Sequence, residues 1–140
     1  MTARESYARL VYDDAEMQGL GFIQDRVWAS NALDTPPRDN PFIVINVDLT
    51  EKVFGVTGVE TVSYWVHIPK ERGRDYSLID LAIEQIKALM ENVVHLAGSD
   101  GWSLTSGTWV DTSRDLVDDG FSTIVKYVTF RTATRSIVTP

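Results

Sequence analysis

The chain has no cysteine. That excludes a disulfide framework, a thiolate nucleophile and a cysteine-ligated zinc site, and it fits a reducing cytoplasm. Histidine is scarce, with only His67 and His95 available as imidazole bases or ligands. No apolar run approaches the ~20 residues that span a bilayer, so no membrane partner is expected. The opening residues, Met1-Thr2-Ala3-Arg4-Glu5-Ser6, lack the basic-then-apolar layout of a signal peptide. Basic side chains are outnumbered, 13 against 20 acidic, for a net charge of −7. Tight binding to a nucleic-acid backbone needs clustered Lys and Arg, which this balance argues against.

Several chemical motifs are also missing. Gly19-Leu20-Gly21 and Gly55-Val56-Thr57-Gly58 lack the lysine and helix context of a phosphate loop. Ser113 has no nucleophile-elbow glycines around it. The acidic run containing Asp111, Asp115, Asp118 and Asp119 could hold Mg²⁺ or Ca²⁺. Its spacing matches no EF-hand loop, however, and a solvated acidic loop before a strand is the simpler reading. There is no internal repeat or low-complexity segment. No catalytic residue, cofactor or metal site is expected.

What is present suffices for one domain with a real core: 140 residues, 44% of them apolar. The organising stretch is residues 61–96. Val62, Tyr64, Val66 and Ile68 alternate onto one face of a strand, which Pro69 ends. A helix then begins near Ser77, with Ser77 as N-cap, Asp80 completing a capping box and Gly98 as the stop. Ile79, Ala82, Ile83, Ile86, Leu89, Met90 and Val93 form its dry stripe, with Asp80, Glu84, Lys87 and Glu91 opposite.

Elsewhere the pattern predicts a helix over 5–17, a short strand or extended segment within 23–33, and a loop over 34–41 carrying Pro36, Pro37 and Pro41. Further strands are predicted over 42–49, 102–110 (with a bulge at Gly107) and 121–132. Loops are expected at 50–58 and 111–119, with a flexible tail over 133–140. The predicted fold is α+β: a mixed or antiparallel four-stranded sheet in αββαββ order, flanked by helices, in a single domain.

His67 shares a strand face with Ser63 and Trp65, as a base, a ligand or a plain surface residue. His95 would sit in the last helical turn, where a cation suits the dipole. Trp65 lies opposite the helix-covered face, so it meets either a partner or a second covering element such as the N-terminal helix. The turn Lys70-Glu71-Arg72-Gly73-Arg74 offers a contact for an acidic neighbour.

The order of features resembles the tail terminator proteins of long-tailed bacteriophages over residues 6–132. The features are the N-terminal helix, Asp25-Arg26-Val27-Trp28, the proline loop into Asn40-Pro41-Phe42-Ile43-Val44-Ile45, Tyr64-Trp65-Val66-His67-Ile68-Pro69, Asp75-Tyr76 and the 79–90 helix. The likeness closes with Trp109-Val110-Asp111-Thr112-Ser113-Arg114-Asp115-Leu116-Val117-Asp118 and the last strand. It implies a non-enzymatic virion protein, made in the host cytoplasm, that forms a homo-hexameric ring on the head-proximal end of the tail. Such a ring ends tube polymerisation and joins the head, so its partners are its own copies, the tail tube protein and a head–tail connector protein. The alternatives are a connector of the same phage neck and a small metal-dependent enzyme using Asp111, Asp115, Asp118 and His67.

On the ring reading, Trp65, His67, Arg72, Arg74, Pro36, Pro37 and Phe54 are candidate interface residues. Asp111, Asp115, Asp118 and Asp119 are candidates for an acidic lumen. DNA would pass through such a lumen without being specifically bound.

Overall fold

The computed structural model describes residues 3–29, 40–53, 57–72, 75–98 and 101–136, and for 48–53 and 57 the backbone alone. Three helices, α1 (Arg4–Tyr12), α2 (Ala15–Gly19) and α3 (Ser77–Asn92), accompany seven strands. These are β1 (Val27–Trp28), β2 (Phe42–Val53), β3 (Thr57–Pro69), β4 (Leu96–Ala97), β5 (Trp102–Thr112), β6 (Leu116–Asp118) and β7 (Thr123–Ser136). The strands join one sheet in the order β1-β2-β3-β7-β5-β4, with β6 also on β7.

This corrects the expected four-stranded sheet flanked by helices: the architecture is a mixed α/β fold on a strongly curled half-barrel sheet. Of the three further strands, β1 falls within the short strand or extended segment expected over 23–33, while β4 and β6 lie outside the expected strands; all are two or three residues long, too short for period-2 alternation to register. They exist because a neighbouring long strand offers its edge. β1 runs parallel to β2, and every other pairing is antiparallel. The β3–α3–β5 connection does not place β5 beside β3, because β7 lies between them.

Element ends shift for local reasons. The single helix expected over 5–17 breaks at Asp13-Asp14, because the Asp14 carboxylate accepts the Met17 amide at 3.0 Å and starts α2. Ser77 is not the N-cap of α3. Tyr76 holds that position, and Asp75 accepts both the Ser77 amide (2.9 Å) and its hydroxyl (2.7 Å), which hold the Asp75 carboxyl below its usual pKa. The helix ends at Asn92, well before Gly98, whose amide instead donates to Trp102 O in the β4–β5 turn. His95 therefore lies past the helix, exposed, and is not in its last turn.

β2 and β3 extend through most of the loop expected over 50–58, and β7 runs on to Ser136 through the expected tail. β5 has two register shifts, between Leu104 and Ser106 and between Trp109 and Asp111. Gly107 itself is paired with Thr132 and is not a bulge.

Both α1 and α3 cover the same sheet face. Tyr7, Leu10 and Val11 of α1 and Ile79, Ile83, Ile86 and Met90 of α3 join Ile43, Ile45, Val62, Tyr64, Val66, Val128 and Phe130 in one buried cluster. A polar knot pins α1 within it. Glu60, 1% exposed, accepts from the Ala3 amide (3.1 Å) and the Tyr7 hydroxyl (2.9 Å). Tyr7 Oη also pairs with Thr132 Oγ1 at 2.7 Å, and Tyr64 Oη donates to Tyr7 O at 2.9 Å. Burial pushes both phenols well above their ordinary pKa, so they stay neutral donors. Among the described residues, no helix is long and apolar enough to cross a membrane.

Candidate functional site

The opposite sheet face carries a smaller aromatic cluster. The His67 ring stacks on Phe42 (centroids 4.5 Å apart, 3° between planes) and meets the edge of Phe121 at 5.4 Å. Trp28 and Phe121 each approach Phe42 edge-on at 5.7 Å. His67 Nδ1 pairs with Thr123 Oγ1 at 2.8 Å, and the residue is 3% exposed. Burial disfavours the imidazolium and lowers the pKa to about 4, against a smaller opposing pull from Asp118. A neutral, enclosed imidazole of this kind is a core side chain, out of reach of a substrate or a docked partner. Further along the same face, Trp65 lies half-buried with its ring 4.6 Å from that of Tyr127. Since α1 and α3 both pack on the Tyr64 side, the N-terminal helix does not cover Trp65.

The acidic residues of 111–119 fall into separate local arrangements. Asp111 is exposed on β5, level with Thr129. Asp115 lies 3.6 Å from Lys126 Nζ, which also donates to Asp80 at 2.7 Å; that bond holds the ammonium above its usual pKa. Asp118 accepts the Phe121 amide at 3.1 Å and so closes the turn into β7. Asp119 pairs with Lys70 at 3.0 Å. No three acidic or histidine side chains among the described residues are grouped to hold a metal ion. Arg72 donates to Asn40 Oδ1 at 3.2 Å, within the basic turn. Pro36, Pro37, Phe54 and Arg74 lie outside the described residues.

The feature that sequence reasoning missed is the β5 edge. β4 pairs with β5 only at Ser103 and Leu104. Beyond that point no described strand covers β5 on the side away from β7. Large apolar side chains come to the surface there: Trp109 is 50% and Val110 51% exposed, and Val117 of the neighbouring β6 is 57% exposed. The Trp109 indole is fixed on two sides. Its Nε1 donates to Thr112 Oγ1 at 3.0 Å, and Lys87 Nζ sits 4.5 Å from the ring centroid. Glu84 accepts from the same ammonium at 3.4 Å.

Beside this ring runs a groove of about 630 Å³ between α3 and β5, walled by Glu84, Lys87, Glu91 and Trp109 and floored by Gly107 and Phe130. A signal for this edge was present in Trp109-Val110. Two adjacent large apolar residues at a strand's end put one apolar group on each face, which a strand covered on one face does not need. No family model matches the chain, and no relative is found among curated proteins. Fold and edge together define a class: a mixed α/β domain whose β5 edge exposes Trp109 and Val110.

Proposed function

We propose that this chain is a structural assembly subunit, and that its assembly is the ring of a phage tail terminator. One observation carries the assembly part: an immobilised, half-exposed indole on an uncovered strand edge, with Val110 beside it and a groove behind it. Buried aromatic anchors supply most of the energy of protein interfaces, and one already held in place loses little entropy when it is covered. The enclosure of His67 and the dispersal of the aspartates into turn and lysine contacts favour an assembly role over a hydrolytic one. The terminator part rests on the order of sequence features alone.

Light scattering after size-exclusion chromatography tests the first part. The chain associates as concentration rises, and Trp109→Ala with Val110→Lys raises the apparent dissociation constant by about tenfold or more while leaving the thermal midpoint in place. Electron microscopy of the chain mixed with polymerising tail-tube protein tests the second. Capped tubes of limited length are expected, and tubes that elongate uncapped overturn the terminator reading.

A further inference from the structure

Among the described residues, the sheet has a second edge that no strand covers along most of its length. β1 pairs with β2 only at Ile43 and Val44, and no other described strand lies on that side of β2. Tracing the ladder across β3 and β7 shows how the two uncovered windows relate. Ile45 is level with Tyr64, Val128 and Thr112. Asn46 is level with Ser63, Thr129 and Asp111, and Val47 with Val62, Phe130 and Trp109. At the other end, Glu51 is level with Val59, Ala133 and Ser106.

Residues 45–51 of β2 and 106–112 of β5 thus occupy the same height on opposite rims of one sheet. They also share an irregularity. Each window has one residue outside the register, Asp48 in β2 and Val110 in β5, one on each side of the Val47–Trp109 level. The two-residue strands that cap the rims sit at opposite ends, β4 below the β5 window and β1 above the β2 window, so neither blocks the other's window. β2, β3, β7 and β5 alternate in direction, so β2 and β5 run antiparallel.

We infer that the occupant of the β5 edge is the β2 window of a second copy of this chain, paired antiparallel so that the sheet continues from subunit to subunit. The inference rests on the self-assembly reading and names its contact. Two copies set side by side by rotation about an axis along the strands keep their strand directions, which makes the new pair antiparallel. The contact joins two different patches, so it is heterologous. It closes into a ring when the rotation divides a full turn. Trp109 then meets Val47 of the next copy across the junction, and that copy closes the side of the groove. Bulges normally guard an edge against indiscriminate pairing. Here they favour a partner whose own interruption falls beside the same level, which this chain's other rim provides.

The absence of native cysteine makes the test clean. Asp111 and Asn46 are level and on the same face, but three strand spacings apart within one chain. That is roughly 14 Å at ~4.8 Å per spacing, too far for a disulfide, which needs Cα atoms within ~7 Å. Any bond between cysteines at these positions must therefore join two copies.

Mixing Asp111→Cys with Asn46→Cys chains under oxidation should give a crosslinked dimer, and the double variant a ladder of covalent oligomers. Asp111→Cys mixed with Val94→Cys should give none. Oligomer size is read on the same samples under reduction. Assembly without the Asp111–Asn46 crosslink overturns this contact and leaves the self-assembly reading standing. A chain monomeric at every concentration, with no crosslink, overturns both. Amide exchange on the unmodified chain gives an independent readout. Assembly should slow exchange at least tenfold in both 45–51 and 106–112, and protection of only one window overturns the pairing.

Discussion

His67 is held in the fold by the contacts that keep it neutral. Its ring lies between Phe42 and Phe121 with Thr123 on Nδ1, and its pKa falls from 6.5 to about 4. Because the folded pKa lies below the unfolded one, the unfolded chain binds more protons between those two values. Stability is therefore unaffected by this group above pH 6.5, declines as pH falls through the window, and levels off below about 4. The full loss is on the order of 3 kcal/mol. Urea unfolding at pH 7 and pH 4.5 captures most of it, and a His67→Gln variant should lose much less stability between those two values.

Gly107 is constrained in a different way. A side chain there would collide with Met90 Sδ and Cγ, because α3 crosses β5 at this point. Gly107→Ala should cost about 1–3 kcal/mol through overpacking. An unchanged denaturation midpoint for that variant would show that the Met90 side chain swings aside at little cost.

At the scale of elements, α3 is held by packing more than by its caps. Ile79, Ala82, Ile83, Ile86 and Met90 are buried against the sheet, while Leu89 and Val93 are only half-buried at the stripe's margin. Ile83→Ala and Ile86→Ala should each cost about 2–5 kcal/mol, a large share of a typical total of ~5–15 kcal/mol. Thermal melts check this, and a midpoint unmoved in both variants refutes the packing. The stripe is legible in the sequence because every turn of a helix repeats its contact with one flat neighbour. Of the short strands, only β1 is foreshadowed, by the short strand or extended segment expected over 23–33. β1, β4 and β6 are defined by the edges they lie against, and two or three residues carry no period of their own.

For the whole molecule, net charge bears on the proposed self-association. Each copy carries −7, so copies brought together in the proposed ring would repel one another over the screening length, about 10 Å at 0.1 M salt. Association should therefore strengthen as ionic strength rises from about 10 mM to a few hundred millimolar. Sedimentation at fixed protein concentration across that range is the measurement. Weakening with salt would mean that attraction between opposite charges holds the contact, in place of the apolar edge.

Composition and periodicity by themselves determined that the chain is cysteine-free, acidic and built on long strands around one amphipathic helix, because each of those properties is local or additive along the chain. They also placed Tyr64, Val66, Ile83 and Ile86 in the core, since a strand or helix with one apolar face must bury it. Only the tertiary structure decided that seven described strands share one sheet, that β7 separates β3 from β5, and that His67 is enclosed. It alone decided that Glu60 binds the start of α1 and that Trp109 stands level with Val47 on opposite rims. Those facts depend on which distant segments share a hydrogen-bonded edge, and no repeat or motif along this chain encodes that choice.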